Sequence, residues 1–391
     1  MPSTALGTLA VCPNTQEVQI YARAGADWKL THTLLGHDKL VTSLAWAANS
    51  NRIVSCSQDR NAYVWTLSTS NIWTPTLVLL RLNRSATFVR WSPNETKFAV
   101  ASGARTIAVC QFDIEQNWWT AKHIKKPIRS TVLSLDWHPN GVLLAAGSAD
   151  MKARVFSAYL KEVDEKPEPT IWGNRIPFNT VCGEFMSLSG GWVHGVAFSP
   201  SGDALAFASH DSSITIAYPS GPDQPPQAVY NVRVPSLPFL SLVFLNENSV
   251  VAAGHDYEPI LFTGDAESGW AISKSLDDPT TRSTAPTARV TSGGVGKLNN
   301  EAFNRFRAAD SRGISSSPAN TGNGVAVGAS NVTKAGGERN TVHQNTITSV
   351  RIYEGTGSKE ISKISTSGLD GRVVVWNTGG LAAGMAKLSV R

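Results

Sequence analysis

Four times along the chain an aspartate stands six residues before a bulky residue that closes a short apolar run. Asp59 leads to Trp65 in SQDRNAYVW, Asp150 to Phe156 in SADMKARVF, Asp256 to Phe262 in GHDYEPILF and Asp370 to Trp376 in GLDGRVVVW. A fifth aspartate, Asp211 in SHDSSITIA, has only Ala217 at the sixth place, and two weaker copies without the aspartate close at Tyr21 and Cys110. The seven closing positions lie 44, 45, 46, 61, 45 and 114 residues apart. A period near 45 residues, made of short strands and tight turns, is that of a four-stranded propeller blade. The chain is therefore expected to be all-β, a seven-bladed propeller forming a single domain over residues 1–391. The two long intervals are the places where it departs from its own repeat.

The second copy shows how one blade is built. LVTSLAW and RIVSCS alternate apolar and polar residues as half-buried strands do. Asp59 follows in a tight turn, where its short carboxylate accepts backbone hydrogen bonds, and NAYVW forms the third strand. Gly36-His37 stands 22 residues before Asp59, close enough in the fold for the imidazole to meet the carboxylate. The set His37, Asp59, Trp65 resembles the WD-repeat signature and reads as complete only in this copy. Together with Asp150, Asp211, Asp256, Asp370 and Trp376, these residues are expected to stiffen blades, not to carry chemistry.

Composition bounds the remaining possibilities. With 41% hydrophobic residues there is ample material for a core, and the apolar runs are strand-sized, far short of the roughly 20 residues a membrane helix needs. The start, MPSTALGTLAVCPN, has neither a basic region nor a long apolar one, so no secretory signal is expected. The four cysteines, Cys12, Cys56, Cys110 and Cys182, have no metal-type spacing, and reduced cysteines on blade strands behave as small hydrophobes. The net charge of +5 is unevenly placed. Lys122, Lys125, Lys126 and Arg129 fall within KHIKKPIRS, at the join of the third and fourth blades. They form a candidate contact for an acidic tail, phosphates or an acidic partner surface, or a charged edge that deters strand pairing. No aromatic groove for nucleic acid surrounds them, and Trp118 and Trp119 just upstream are read as blade packing.

The interval of 61 residues places its surplus in KEVDEKPEPTIWGNRIPFNTVCGEF, an expected surface loop. Trp172 and Phe178 make it an interface candidate, with folding back onto the blade as the alternative. The 114-residue interval is longer still. Residues 277–340 hold no Trp, Tyr, Cys or Met and nine glycines, too little apolar area to offset ordering entropy, so a largely disordered insertion before the last blade is expected. Within it, LNNEAFNRFRAADSRG reads as a short helix near residues 299–310. Asn299 is its N-cap, Leu298 and Phe303 take the staple positions and Gly313 ends it. Phe303 and Phe306 share one face with Arg305 and Arg307 beside it. So short a helix is marginal alone and needs a partner surface, as helix-in-groove docking does.

Longer stretches carry a specific resemblance. NSNRIVSCSQDRNAYVWTL, PNETKFAVASG, KHIKKPIRSTVLSLDWHPNGVLLAAGSAD, SGGWVHGVAFS and VAAGHDYEPILFT are similar to the WD-repeat subunit family of the actin-related protein 2/3 complex, over about residues 10 to 377. The resemblance implies a cytoplasmic protein of the cortical actin cytoskeleton without cofactor. It implies as partners the actin filament, the actin-related proteins and other subunits of that complex, with nucleation-promoting factors as further candidates. It implies filament contact through an insertion helix, here Leu298, Phe303, Arg305 and Phe306, and subunit contact through the propeller. Family members begin with an extra strand-forming stretch before the CPN motif, whereas only about ten residues precede Cys12 here, so the first blade is expected to be irregular.

Enzyme readings find little. GGVGK at 293–297 resembles a phosphate loop, but Leu298 stands where Ser or Thr must ligate magnesium and no strand precedes it. HExxH, GxSxG and paired-cysteine motifs do not occur, and His138 in DWHPN reads as a turn cap. Neither metal nor catalysis is expected. The competing class is a generic WD-repeat adaptor that reads acidic or modified peptides in its central channel.

Overall fold

The computed structural model describes residues 2–3, 7–25, 27–174, 177–221, 224–277, 341–355 and 361–378, the first two by backbone alone. Their regular structure is entirely β and falls into seven antiparallel sheets, each a meander of strands consecutive in the chain. Six sheets have four strands and the last has three among the described residues. The blades occupy residues 2–35, 41–78, 86–124, 132–186, 193–233, 239–275 and 347–377. The innermost strands of the second to seventh blades pack in series, each on the next. Arg351 of the seventh blade lies over the Phe88 ring of the third, 5.3 Å from its centroid. These two blades are not neighbours, so that contact crosses the axis of the ring.

The second strand of each blade explains why the sheets can stack as a propeller. Lys97–Ser102, Leu143–Ser148, Leu205–Ser209 and Ser249–Gly254 are buried along their whole length, because a neighbouring blade covers each face. Alanine, serine and glycine recur in them, and small residues let sheets approach. At Gly147, for example, an added Cβ would stand 2.6 Å from Ser134 Oγ and 2.8 Å from Val193 Cγ1. Apolar side chains fill each seam between successive blades. Ala10, Val18, Ile20 and Leu34 of the first blade, for example, meet Val41, Leu44, Ile53 and Trp65 of the second. The irregular blade is the first, as expected, since its innermost strand is only Pro2–Ser3, paired with Leu9 and Thr8.

Of the two readings of the aromatic pair in the 61-residue interval, exposed interface or folding back onto the blade, the structure shows the second. Trp172 is 1% exposed, its indole donates to the Gly202 carbonyl at 2.8 Å, and its ring meets Phe198 and Phe185 edge-on. Phe178 packs half-buried against the seam of the third and fourth blades. The loop folds back because that seam offers a large apolar side chain more buried area than solvent can match. The expected insertion helix near 299–310, with Leu298, Phe303, Arg305, Phe306 and the GGVGK stretch, lies outside the described residues. The insertion's root is described: buried Asp277 accepts the Val342 amide at 2.7 Å, so the two ends of the long interval meet.

Candidate partner-binding face

In a four-stranded meander the turn between the second and third strands lies at the same end as the connection to the next blade. One face of the propeller therefore collects both. The residue after the turn position, which is aspartate in five blades and Ala104 in the third, is left-handed in six blades: Arg60, Arg105, Met151, Ser212, Tyr257 and Gly371 all have φ between 58° and 74°. The aspartates hold the inter-blade connections to these turns. Asp59 accepts the Asp38 amide, Asp150 that of Arg129, Asp256 that of Leu237 and Asp370 that of Gln344. Asp211 accepts instead from the hydroxyls of Ser187 and Ser213.

In the second blade His37 Nδ1 meets Asp59 at 2.7 Å, His37 Nε2 meets Ser55 Oγ at 2.9 Å, and the Trp65 indole donates to the same hydroxyl at 2.9 Å. The expectation that this set is complete only once is corrected. In the last blade His343 Nδ1 meets Asp370 at 3.1 Å, and its Nε2 and the Trp376 indole both meet Thr366 Oγ1 at 2.7 Å. Both sets sit in blade interiors with every ring nitrogen engaged, so they brace strands. Burial holds the His37 imidazole below its ordinary pKa despite Asp59, while the His343 imidazole and two backbone amides hold the Asp370 carboxyl low against its own burial. His138 caps its turn as expected, accepting the Asn140 amide on Nδ1 at 3.1 Å. The four cysteines are free, and burial pushes Cys12, Cys56 and Cys182 up to about 12, so these thiols stay protonated and act as packing groups.

The basic cluster of KHIKKPIRS divides. Lys122, on the outermost strand Trp118–Ile124, pairs with Glu162 at 2.8 Å. Lys125 and Lys126 are exposed on the connection to the fourth blade. Arg129 lines a cleft together with Arg84 and Arg105. Of the two tryptophans upstream, Trp119 is buried against Trp91 and Phe98 and Trp118 is 54% exposed.

The most exposed apolar group on this face was not singled out in the sequence. Met186 ends the outermost strand of the fourth blade, Leu188 and Trp192 lie on the connection to the fifth, and the three are 53%, 88% and 54% exposed. Met151, at the turn of the fourth blade, abuts that connection, its Sδ 3.4 Å from where a Cβ on Gly190 would lie. Trp192 stacks on His210, whose Nδ1 meets His194 Nε2 at 2.8 Å. Exposed apolar clusters of this kind mark protein contacts. The available signal was Met151, at a turn position held by Arg60, Arg105, Ser212, Tyr257 or Gly371 in other blades, followed by Leu188 and Trp192 flanking Gly190-Gly191. Among the described residues no group of His, Cys, Asp and Glu is gathered to hold a metal ion, and no helix is long and apolar enough to cross a membrane.

Residues 28–66 and 183–216 match the family described as WD domain, G-beta repeat, and residues 89–170 match the anaphase-promoting complex subunit 4 WD40 domain. Over 366 residues, 93% of this chain and 91% of the relative, the chain is 52% identical to actin-related protein 2/3 complex subunit 1 of Schizosaccharomyces pombe. It is 47% identical to subunit 1A-A of Xenopus laevis, over 95% of this chain and 91% of the relative. To subunit 1 of Saccharomyces cerevisiae it is 37% identical, over 88% of this chain and 85% of the relative.

Proposed function

This chain belongs to the actin-related protein 2/3 complex subunit 1 family, and on that ground we propose that it is a non-catalytic subunit supporting nucleation of branched actin filaments in the cytoplasm. The observation that carries the reading is the near full-length match to relatives whose names are those of a complex subunit. The propeller acts as scaffold: braced turns make one face rigid, and that face presents Met151, Met186, Leu188 and Trp192 to neighbouring subunits. Lys125, Lys126 and Arg129 add a positive rim that attracts acidic partners, nucleation-promoting factors among them.

The insertion reaches the mother filament. Its two ends meet at Asp277 and Val342, beside the His343–Asp370 brace, so a segment of more than 60 residues starts from one fixed point on a rigid blade. Phe303 and Phe306 supply the apolar anchors, Leu298 the staple, and Arg305 a charge toward the acidic filament. The test is a branching assay with purified complex carrying Phe303→Ala and Phe306→Ala. Loss of an aromatic anchor costs about 2 kcal/mol or more at a hot spot, so filament binding and branch number fall while the complex still assembles. Normal branching overturns the filament contact.

A peptide reader working through the central channel draws less support. Arg351 and Phe88 meet across the axis, and Arg90 pairs with Asp136 at 3.0 Å on the innermost strands beside them.

A further inference from the structure

The third blade lacks the aspartate that its neighbours place in the turn, and the space has been given to arginines. Its turn runs Ser102, Gly103, Ala104, Arg105 where the second blade has Ser57, Gln58, Asp59, Arg60. The backbone is the same. The Ala104 amide donates to Ser102 Oγ at 3.0 Å as that of Asp59 donates to Ser57 Oγ at 3.1 Å, and Arg105 is left-handed with φ 58°. Only the carboxylate is missing. In the second and fourth blades that carboxylate accepts the amide of the residue 21 positions earlier, Asp38 and Arg129 respectively. The corresponding amide of the third blade is that of Asn83, and no protein group among the described residues accepts from it.

Asn83 lines a cleft of about 480 Å³ between the third and fourth blades, with Arg84, Arg105, Arg129, Ser130 and Thr131 around it. All three arginines are exposed at the mouth of the cleft, and none has a carboxylate partner among the described residues, unlike buried Lys97 and Arg154, which pair with Asp164 and with Asp150 and Glu184. Three like charges around one concavity repel one another unless an anion enters. A single carboxylate, the group the other blades use, would leave two charges uncompensated. A phosphoryl group brings close to two negative charges and three acceptor oxygens at neutral pH, and guanidinium forks bind it in bidentate fashion. The Asn83 amide and the hydroxyls of Ser130 and Thr131 are the neutral donors that complete such a site.

We propose that the cleft of Arg84, Arg105 and Arg129 is a phosphoryl-binding site, in which a ligand's phosphate takes the place of the absent turn aspartate. The phosphate is borne on a protein side chain or arrives free. This proposal rests on the third blade's own geometry and does not depend on the insertion.

The test is fluorescence anisotropy with the full chain, in whatever assembly it purifies with, and a labelled neutral peptide carrying one phosphoserine. Binding is expected, and the same peptide with serine or glutamate at that position binds at least tenfold more weakly. Arg84→Gln with Arg105→Gln lowers affinity at least tenfold. Ala104→Asp restores the turn of the other blades, so it keeps the fold, and it lowers affinity at least tenfold by placing a carboxylate where the phosphate would enter. Inorganic phosphate, titrated as competitor, separates the sources: displacement at micromolar phosphate assigns the site to the free anion, and displacement only at far higher concentration assigns it to a phosphorylated protein. Equal binding of the glutamate peptide, or unchanged binding by both variants, overturns the proposal.

Discussion

His37 and His343 perform one task from different sequence spacings, and single side chains can test it. Each imidazole links a turn carboxylate to a hydroxyl that also receives a tryptophan indole. Asp59→Ala leaves the His37 Nδ1 and the Asp38 amide without their acceptor, which costs about 1–3 kcal/mol. Thermal unfolding of the variant is expected to begin at lower temperature, with Asp370→Ala behaving likewise. An unchanged melting point for both would remove the bracing role. The first set was legible because 22 residues separate His37 from Asp59, whereas the second hides behind a separation of 27 and a threonine in place of the serine. Histidines also set the acid limit of stability. Burial lowers the pKa of His37 and His138, and burial with the neighbouring His210 and His255 lowers His194 to about 4. Below the ordinary histidine pKa of about 6.5 the unfolded chain therefore binds more protons than the folded one, so stability falls as pH drops. Unfolding midpoints measured from pH 7 down to pH 4 should decline, and His194→Gln should flatten that decline. A midpoint independent of pH over this range would contradict the assignment.

Elements follow their repeat closely, and the departures are where burial had to be seen. The period of about 45 residues predicts the blades because each one repeats the same alternation and the same turn. The surplus of the 61-residue interval was legible as a loop, yet its destination was not, since spacing says nothing about which surface a loop covers. In the structure it is a strap. Trp172 fills the seam of the fourth and fifth blades, and Asp164 reaches the third blade to pair with Lys97, which is wholly buried beneath it. Lys97 also donates to the Ala158 carbonyl at 2.9 Å and lies over the Trp137 ring. Burial lowers the Lys97 pKa and Asp164 opposes that shift, so the ammonium depends on its partner. Asp164→Ala strands a buried charge, a change that costs about 3–5 kcal/mol. Urea unfolding of this variant should show a correspondingly lower midpoint, and Lys97→Met together with Asp164→Ala should recover much of the loss. Failure of the double variant to recover would mean that the strap is held by Trp172 alone.

Across the whole molecule the propeller separates its tasks by position. The insertion springs from the join of the sixth and seventh blades, the arginine cleft opens between the third and fourth, and the apolar group around Trp192 lies between the fourth and fifth. A rigid ring keeps these sites at fixed distances, which a scaffold needs and a single flexible loop could not supply. The separation makes the proposed subunit contact testable without touching the proposed filament contact. Leu188 and Trp192 are exposed and bear on no blade seam, so Leu188→Ser with Trp192→Ser should leave the melting temperature unchanged. As apolar anchors of an interface their loss costs about 2 kcal/mol or more in association, a drop of roughly thirtyfold in affinity. Affinity purification through a tag on this chain should then recover less of the other subunits, while the Phe303→Ala and Phe306→Ala variant recovers them in full. Intact recovery with the Leu188 and Trp192 variant would move the subunit interface to another part of the ring, because a patch that can lose both anchors and still hold its neighbours is not what holds them.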